Sequence, residues 1–455
     1  MQSNNLLRVT RIRVVNLFGR YTHDVQLRTD DRVTIIHGPN GVGKTVLLRL
    51  TEALLSGKMF TLVKTPFQTF EVTLSDGSVL GIERDTLFDE QTARNRSLAR
   101  CYLRRDERET SHELQVNDIS IRRLASRIEQ ALPWLIRVDE DSFLDRRSGE
   151  MLTSAEILEQ FADFLPSRSR KHESVSEPDW MRDIRNSVRV HLIEAQRLLR
   201  FSEQRRWGEE FGYTATVKTY AQDLQKRIAE TLAKYAKESQ ALDQSFPQRL
   251  LQNPIQTLST PELKTRMQDL EEKRQRLKRI GLIDEDPTYP FDITTLEMLD
   301  ETRRAVMTLY VQDTEHKLGV LDDLANRIEI LLGTINKKFT HKSIVIDKQK
   351  GFIAKTDQDR LLELDALSSG EQHELVLLYD LLFRVQPNTL VLIDEPELSL
   401  HVTWQKSFVT DLLEIVSIAG YDVVLATHSP FIVGDRHDLM VPLLPERESE
   451  VEIDA

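Results

Sequence analysis

Three glycines, a lysine and a hydroxyl fall within eight residues near the start of the chain: Gly38, Pro39, Asn40, Gly41, Val42, Gly43, Lys44 and Thr45. Glycines let backbone N–H groups close around a phosphate, and a helix starting at the lysine points its positive end at the same spot. The spacing lets Lys44 reach the β- and γ-phosphates of ATP and sets the Thr45 hydroxyl to meet Mg2+. Only 17 of the 455 residues are glycine, so composition does not account for the pattern. Far along the chain, TLVLIDEPE at 389–397 runs four apolar residues into Asp394 and Glu395. A buried strand would deliver Asp394 to its carboxyl end, where it can hold Mg2+ through water. Glu395 would then stand near the γ-phosphate, suited to orient or polarise an attacking water. An apolar run ending in Asp-Glu is common by itself; behind a phosphate loop it is specific.

Three further segments fit the same chemistry. LSSGEQ at 367–372 sets Ser368, Ser369, Gly370 and Glu371 at the start of a helix, a second terminus able to bind an anion. Taken alone it is a serine capping an ordinary helix. A chain that already grips the γ-phosphate with Lys44 has no use for a second terminus, but another copy has. Pairing this loop with the phosphate loop of a partner would bury ATP between subunits, in a homodimer or larger homo-oligomer. Gln196, in HLIEAQRL, has the strand-to-loop setting of a Mg2+-sensing glutamine, and His428, in VVLATHSP, ends a strand where it could hydrogen-bond the γ-phosphate. The catalytic set is then Lys44, Glu395 and His428, with Thr45, Gln196 and Asp394 around the metal.

These residues need a framework, and the patterning supplies one. LLRVTRIRVV and DVQL alternate apolar and polar residues, VTII is a buried run before the phosphate loop, and FEVTL and VLGIE flank a turn at Asp76-Gly77. From about 206, apolar residues at three-and-four spacing mark helices. Val217, Tyr220, Leu224, Ile228, Leu232 and Tyr235 share one face of a helix roughly 40 Å long. Prolines at 247, 254 and 261 interrupt before Leu263, Met267, Leu270 and Leu277 resume, and a third helical run extends from Leu296 to Leu331. SIVID and GFIAK return to strand. The expected architecture is α/β, a mixed sheet flanked by helices. An N-terminal lobe would occupy 1–205, an antiparallel helical or coiled-coil insert 206–340 and a C-terminal lobe 341–455.

Composition narrows the class. Hydrophobic residues make up 40% and charged residues 29%, as in a globular protein, and no run approaches the ~18 apolar residues of a membrane span. The start, MQSNNLLR, lacks a signal-peptide apolar region, and the single cysteine, Cys101, can form neither an internal disulfide nor a structural zinc site. The expectation is a cytoplasmic protein. A net charge of −12 removes the simple electrostatic case for nucleic acid. Locally the balance reverses: 94–127 hold nine arginines against five acids, and 168–206 hold ten Lys or Arg against six. Such stretches suit a surface meeting DNA or a DNA-like protein, or else a solvated, mutually paired face.

The motifs, in this order, resemble those of the ABC-type P-loop ATPases of the SMC, RecF and OLD group, over roughly 1–85, 188–200 and 343–432. EPELSLH resembles the OLD-type version, which implies that Ser399 and Leu400 form a loop at the dimer contact. Ser369 stands where the group usually has glycine, and Val402 where proline is common; neither change removes a catalytic group. SMC-like arms are far longer than this insert, and OLD nucleases continue into a metal-binding nuclease domain. With 27 residues after His428 (428 to 455), a nuclease is expected on a separate polypeptide. The compact form is similar to ATPase subunits of bacterial anti-phage systems, that of the PARIS system foremost and the Septu type second. That resemblance implies a sensor ATPase that holds a toprim-type nuclease effector and releases it on meeting a phage trigger protein. The alternatives are a RecF-like repair ATPase clamping duplex DNA and a scaffold in which ATP is a permanent assembly cofactor.

Overall fold

The computed structural model describes residues 6–89, 94–106, 108–114, 125–126, 128–129, 132, 134–139, 142–145, 150–154, 157, 178–193, 199–201, 213–252, 256–284, 300–398, 400 and 402–443. Two compact units make up the chain: Met1–Ala195 with Val385–Leu398 and Gln405–Ala455, and Gln196–Arg384 with Ser399–Trp404.

Apolar runs decide the central sheet of the first unit. β3 (Val33–His37), β17 (Thr389–Asp394) and β18 (Asp422–Thr427) are buried along almost their whole length, as strands covered on both faces must be. With β11 (Arg189–Ile193) and β19 (Met440–Pro442) they form a sheet of order β11-β17-β18-β3-β19 in which every pairing is parallel. All carboxyl ends therefore lie on one edge, where the loops after β3, β17 and β18 meet. Helix α1 (Lys44–Ser56) packs against β11, β17 and β18 and buries Leu47, Leu48, Leu50, Leu54 and Leu55. Each such leucine contributes roughly 1.5–3 kcal/mol by leaving water.

A second sheet is antiparallel throughout, in the order β2-β1-β4-β5-β6-β7. Its strands are β1 (Val9–Leu17), β2 (Tyr21–Gln26), β4 (Thr69–Leu74), β5 (Val79–Asp89), β6 (Arg94–Arg105) and β7 (Arg108–Leu114). The alternation in β1 turns Val9, Ile12, Val14 and Leu17 inward, and these share one core with α1, with α2 (Met59–Lys64) and with Met181 and Ile184 of α3 (Asp179–Ser187). A small antiparallel sheet holds β8 (Leu135–Asp139), β9 (Ser142–Asp145) and β10 (Glu150–Thr153). The mixed α/β fold read from sequence is present, with parallel and antiparallel strands kept in separate sheets.

The second unit is the helical region with its own small sheet. A hairpin of β12 (Leu199–Phe201) and β13 (Tyr213–Ala215) leads into α4 (Thr216–Gln252), followed by α5 (Thr260–Arg279), α6 (Glu301–Gly319) and α7 (Asp322–Lys338). Ion pairs give the helix directions. Asp243–Lys317 and Arg249–Asp313 run in opposite senses, so α4 is antiparallel to α6. Arg266–Glu315, Lys273–Asp322 and Arg276–Glu329 rise together, so α5 runs alongside α6 and α7 in the same direction.

Two boundaries differ from the sequence expectation. Pro247 does not interrupt α4, which continues to Gln252 and spans ~55 Å for 37 residues. Proline removes the N–H that would serve the Asp243 carbonyl and crowds the preceding turn. One residue earlier, the carbonyl of Leu242 accepts from Arg249 Nη2 at 2.9 Å and Ser245 Oγ at 3.2 Å, which brace the helix across the proline. Arg249 is itself held by Asp313 at 2.6 and 2.7 Å. The third run breaks after Gly319. There the N–H groups of Val320 and Leu321 reach only three residues back, and Asp322 and Asp323 open α7. Leu296 and Leu299 lie outside the described residues.

β14 (Lys342–Asp347), β15 (Gly351–Thr356) and β16 (Leu361–Leu362) form an antiparallel sheet, and α8 (Ser369–Tyr379) follows. The short α9 (Val402–Gln405) leads to α10 (Phe408–Ala419), and α11 (Pro430–Val433) succeeds β18. Among the described residues no helix is long and apolar enough to cross a membrane.

Candidate functional site

The loop from Gly38 to Gly43 turns β3 into α1, and its shape is fixed from several sides. Gly43 has φ 94°, and a Cβ there would stand 2.6 Å from Leu17 Cδ2, so only glycine fits. A Cβ on Gly38 would meet the Leu443 carbonyl oxygen at 2.6 Å. His23 Nε2, buried beneath the loop, donates to the Val42 carbonyl at 2.7 Å. Lys44 is 4% exposed, and its ammonium donates to the carbonyls of Gly38 at 2.8 Å and Pro39 at 3.0 Å. An ammonium has three donors, so one remains for a phosphate oxygen.

A cavity of about 390 Å³ opens over this loop, lined by Phe18, Asn40, Gly41, Gly43, Lys44, Thr45, Val46 and Glu395. Thr45 Oγ1 donates to Asp394 Oδ1 at 3.1 Å, joining motifs 349 residues apart. A hydroxyl and a carboxylate side by side are hard oxygen donors of the kind Mg2+ takes. Glu395 follows with φ 41°, a left-handed backbone that a residue with a Cβ seldom adopts. Its N–H donates to Ala426 O at 2.9 Å and its carbonyl accepts from Leu398 N at 3.2 Å, which together hold the bend. His428, at the end of β18, brings Nδ1 to 3.7 Å from Glu395 Oε1 and 3.1 Å from Glu397 Oε1.

Lys44, Thr45, Asp394 and Glu395 thus meet at one place, with His428 beside Glu395. Gln196 and Ser399 lie outside the described residues. Ser368 belongs to the second unit, where it caps α8 in a reciprocal arrangement. Its Oγ accepts from Glu371 N at 3.3 Å and its N–H donates to Glu371 Oε2 at 2.8 Å. Lys342 Nζ donates to both Glu371 oxygens, at 2.9 and 2.8 Å. Burial pushes the Glu371 carboxyl up, but the hydrogen bonds from Lys342 and Ser368 outweigh it and hold the group below the ordinary carboxylate range. Leu400 is buried.

Two residues escaped the sequence analysis. Phe18, 46% exposed with φ 55°, lines the cavity; its only signal was an aromatic beside Gly19 in a turn. Glu397 reads in sequence as the tail of the acid motif, and its one signal is a second acid two places after Glu395.

A phosphate loop closing one parallel strand, an acid pair ending its neighbour but one and a histidine ending the strand between them define a P-loop ATPase domain. The chain belongs to the family described as "AAA domain, putative AbiEii toxin, Type IV TA system", which matches residues 33–434. No curated protein matches it significantly. Among solved structures it is similar to an Smc head domain with an extended coiled coil bound to the C-terminal domain of ScpA, derived from Pyrococcus furiosus. The identity is 12% and the TM-score 0.31, over 96% of this chain and 93% of that one. It is also similar to an SmcHead bound to the C-winged helix domain of ScpA (9%, TM-score 0.34, 96% and 93%). A third is the SMC head domain from Thermotoga maritima (11%, TM-score 0.32, 94% and 92%).

Proposed function

We propose that this chain binds ATP with Mg2+, hydrolyses it at sites shared between copies, and serves as the sensor and scaffold subunit of a bacterial anti-phage system. The observation that carries the enzymatic part is the convergence of Lys44, the Thr45–Asp394 pair and the strained Glu395 on one cavity. Lys44 neutralises the β- and γ-phosphates as a point charge. Thr45 and Asp394 would hold Mg2+, which when bound adds positive charge against the same phosphates. Glu395 orients the attacking water, and His428 hydrogen-bonds the γ-phosphate.

Shared sites are supported by exposed apolar groups on the same edge of the parallel sheet. Leu398 is 65% exposed and Phe431 49%, and both follow strands whose carboxyl ends lie on the nucleotide edge of the parallel sheet. A second copy seated there would cover them; on this reading the second copy's Ser368 terminus is the one that meets the γ-phosphate.

The defence role draws on the likeness to AriA, the ATPase of the PARIS system, with a toprim-type nuclease as the held effector and a phage protein as trigger. The family's description, a putative toxin of a type IV TA system, accords with such a setting better than with housekeeping repair. The RecF-like alternative loses support in the described part of the arginine-rich stretch. Arg100 pairs with Glu83 and Glu109, and Arg104 with Glu109 and Glu71, so these charges are spent on their own sheet. Tight, ATP-dependent duplex binding that falls steeply with salt would restore that alternative.

Mixing two variants tests the shared sites. Ser368→Arg puts a bulky cation at the helix terminus, and Lys44→Ala disables the phosphate loop. A mixed dimer carries both faults on one composite site and none on the other. Recovery to about half of parental turnover per mixed dimer is the expected outcome, provided one intact site can fire alone. Full turnover by Ser368→Arg alone would overturn the shared site.

A further inference from the structure

Glu397 is a second acid, two residues past Glu395, that the reaction as described does not use. It lies in the short turn Pro396–Leu398 and is 8% exposed. Burying a carboxylate is costly unless donors surround it, and here they converge on a single oxygen. Glu397 Oε1 accepts from Thr427 Oγ1 at 2.6 Å, from His428 N at 2.8 Å and from Ser429 N at 3.2 Å. His428 Nδ1 is the fourth group, at 3.1 Å. Gln405 secures both ends of the arrangement, donating from Nε2 to Glu397 O at 3.3 Å and accepting from Ser429 Oγ at 2.9 Å. Glu397 Oε2 has no hydrogen-bond partner among the described residues.

A carboxylate can only accept, so the ring nitrogen facing it must carry the hydrogen. Glu395 Oε1 lies on the same Nδ1 side, at 3.7 Å. Nε2 is therefore the nitrogen turned away from both carboxylates, and it can donate to a phosphate oxygen when it too carries a hydrogen. We propose that Glu397 is a positioning residue. It selects the Nδ1–H form of His428 and fixes the ring so that Nε2 addresses the γ-phosphate. This rests on the assignment of His428 to the γ-phosphate. The plainer role, satisfying the Thr427 hydroxyl and the backbone N–H groups of 428 and 429, accounts for three of the four contacts but places no demand on the imidazole.

The full-length chain tests it by turnover, ATP binding and 15N NMR of histidine-labelled protein. The His428 signals are assigned by their loss in His428→Ala. At a pH that keeps the ring neutral, parental protein should show His428 protonated at Nδ1, and Glu397→Ala should shift it to the mixed tautomers of a free imidazole. Turnover in Glu397→Ala should fall roughly 10- to 100-fold with ATP affinity unchanged. Glu397→Gln, whose amide oxygen meets the same donors, should keep the Nδ1–H form and turnover within a few-fold. Should Glu397→Ala not fold, Glu397→Met, of similar volume and without an acceptor, takes its place. The double variant Glu397→Ala/His428→Ala should be no slower than His428→Ala alone, because the glutamate acts only through the ring. An unchanged Nδ1–H signal in Glu397→Ala, or a double variant slower by the full single-variant factor, would overturn the proposal. Parental turnover by His428→Ala would instead remove the assignment of His428 on which it rests.

Discussion

The water-positioning role proposed for Glu395 falls on a backbone that resists it, and the two can be separated by substitution. At φ 41° a residue with a Cβ is strained by about 1–2 kcal/mol, while the hydrogen bonds to Ala426 O and from Leu398 N enforce the bend. Glu395→Gln keeps shape and strain but removes the charge that holds the water. Losing one positioned electrostatic contact of this kind costs on the order of a thousandfold in rate, or about 4 kcal/mol at 1.36 kcal/mol per decade. Phosphate release should nearly cease while ATP still binds. Glu395→Gly should be equally inactive but no less stable. Relief of about 1–2 kcal/mol of strain is offset by the roughly 0.5–1 kcal/mol that glycine loses on folding, leaving about 0 to 1.5 kcal/mol in its favour. Thermal unfolding should therefore place Glu395→Gly level with or above Glu395→Gln. A glycine variant melting well below the glutamine variant would refute the strain, and parental turnover by Glu395→Gln would refute the water-positioning role.

Phe18 offers an exposed ring at the cavity. If a base stacks on it, Phe18→Ala should weaken ATP by roughly 1–3 kcal/mol, about 5- to 150-fold in Kd, and leave inorganic tripolyphosphate unaffected; equal loss for both ligands would show that the ring merely supports the loop. Glu371 titrates below its ordinary 4.5 in the folded chain, so its contribution to stability is complete above about that pH and disappears as pH falls through the lower folded value. Thermal midpoints measured from pH 7 down to pH 3 should fall less steeply in Glu371→Gln than in the parent, and identical slopes would rule the group out as a source of acid sensitivity.

The phosphate loop and acid pair were legible because their chemistry dictates spacing, and β3, β17 and β18 because a strand buried on both faces must be apolar throughout. What sequence hid depends on partners distant in the chain. The arginines of 94–105 read as a basic patch, yet β6 sits between β5 and β7, whose glutamates meet Arg100 and Arg104 across the strands. Local composition carries no register, so that pairing was invisible. Pro247 read as a helix end because Arg249, which braces the helix across it through Leu242 O, is held by Asp313, 64 residues further on. Glu397 looked like motif trim because Thr427 and His428, which give it a purpose, come 30 and 31 residues later.

At Ser368 the helix cap and the proposed anion site need not compete. The reciprocal cap consumes the N–H groups of Ser368 and Glu371, and Gln372 N is already bonded to Ser368 O. A helix has several unsatisfied N–H groups in its first turn, and those of Ser369 and Gly370 remain outside the cap. The Ser368 hydroxyl accepts from Glu371 but still has its own hydrogen to donate. Space is not limiting, since even a Cβ added to Gly370 would come no nearer than 3.9 Å to Trp404. Charge is the real obstacle, because the Glu371 carboxylate that completes the cap would repel an incoming phosphate. Lys342 answers it, with Nζ within 2.9 Å of both carboxylate oxygens. The capping glutamate thus comes already neutralised, the helix dipole is left free for the partner's nucleotide that the proposed shared site would bring, and Lys342, which no motif marks, would be part of what makes the terminus usable.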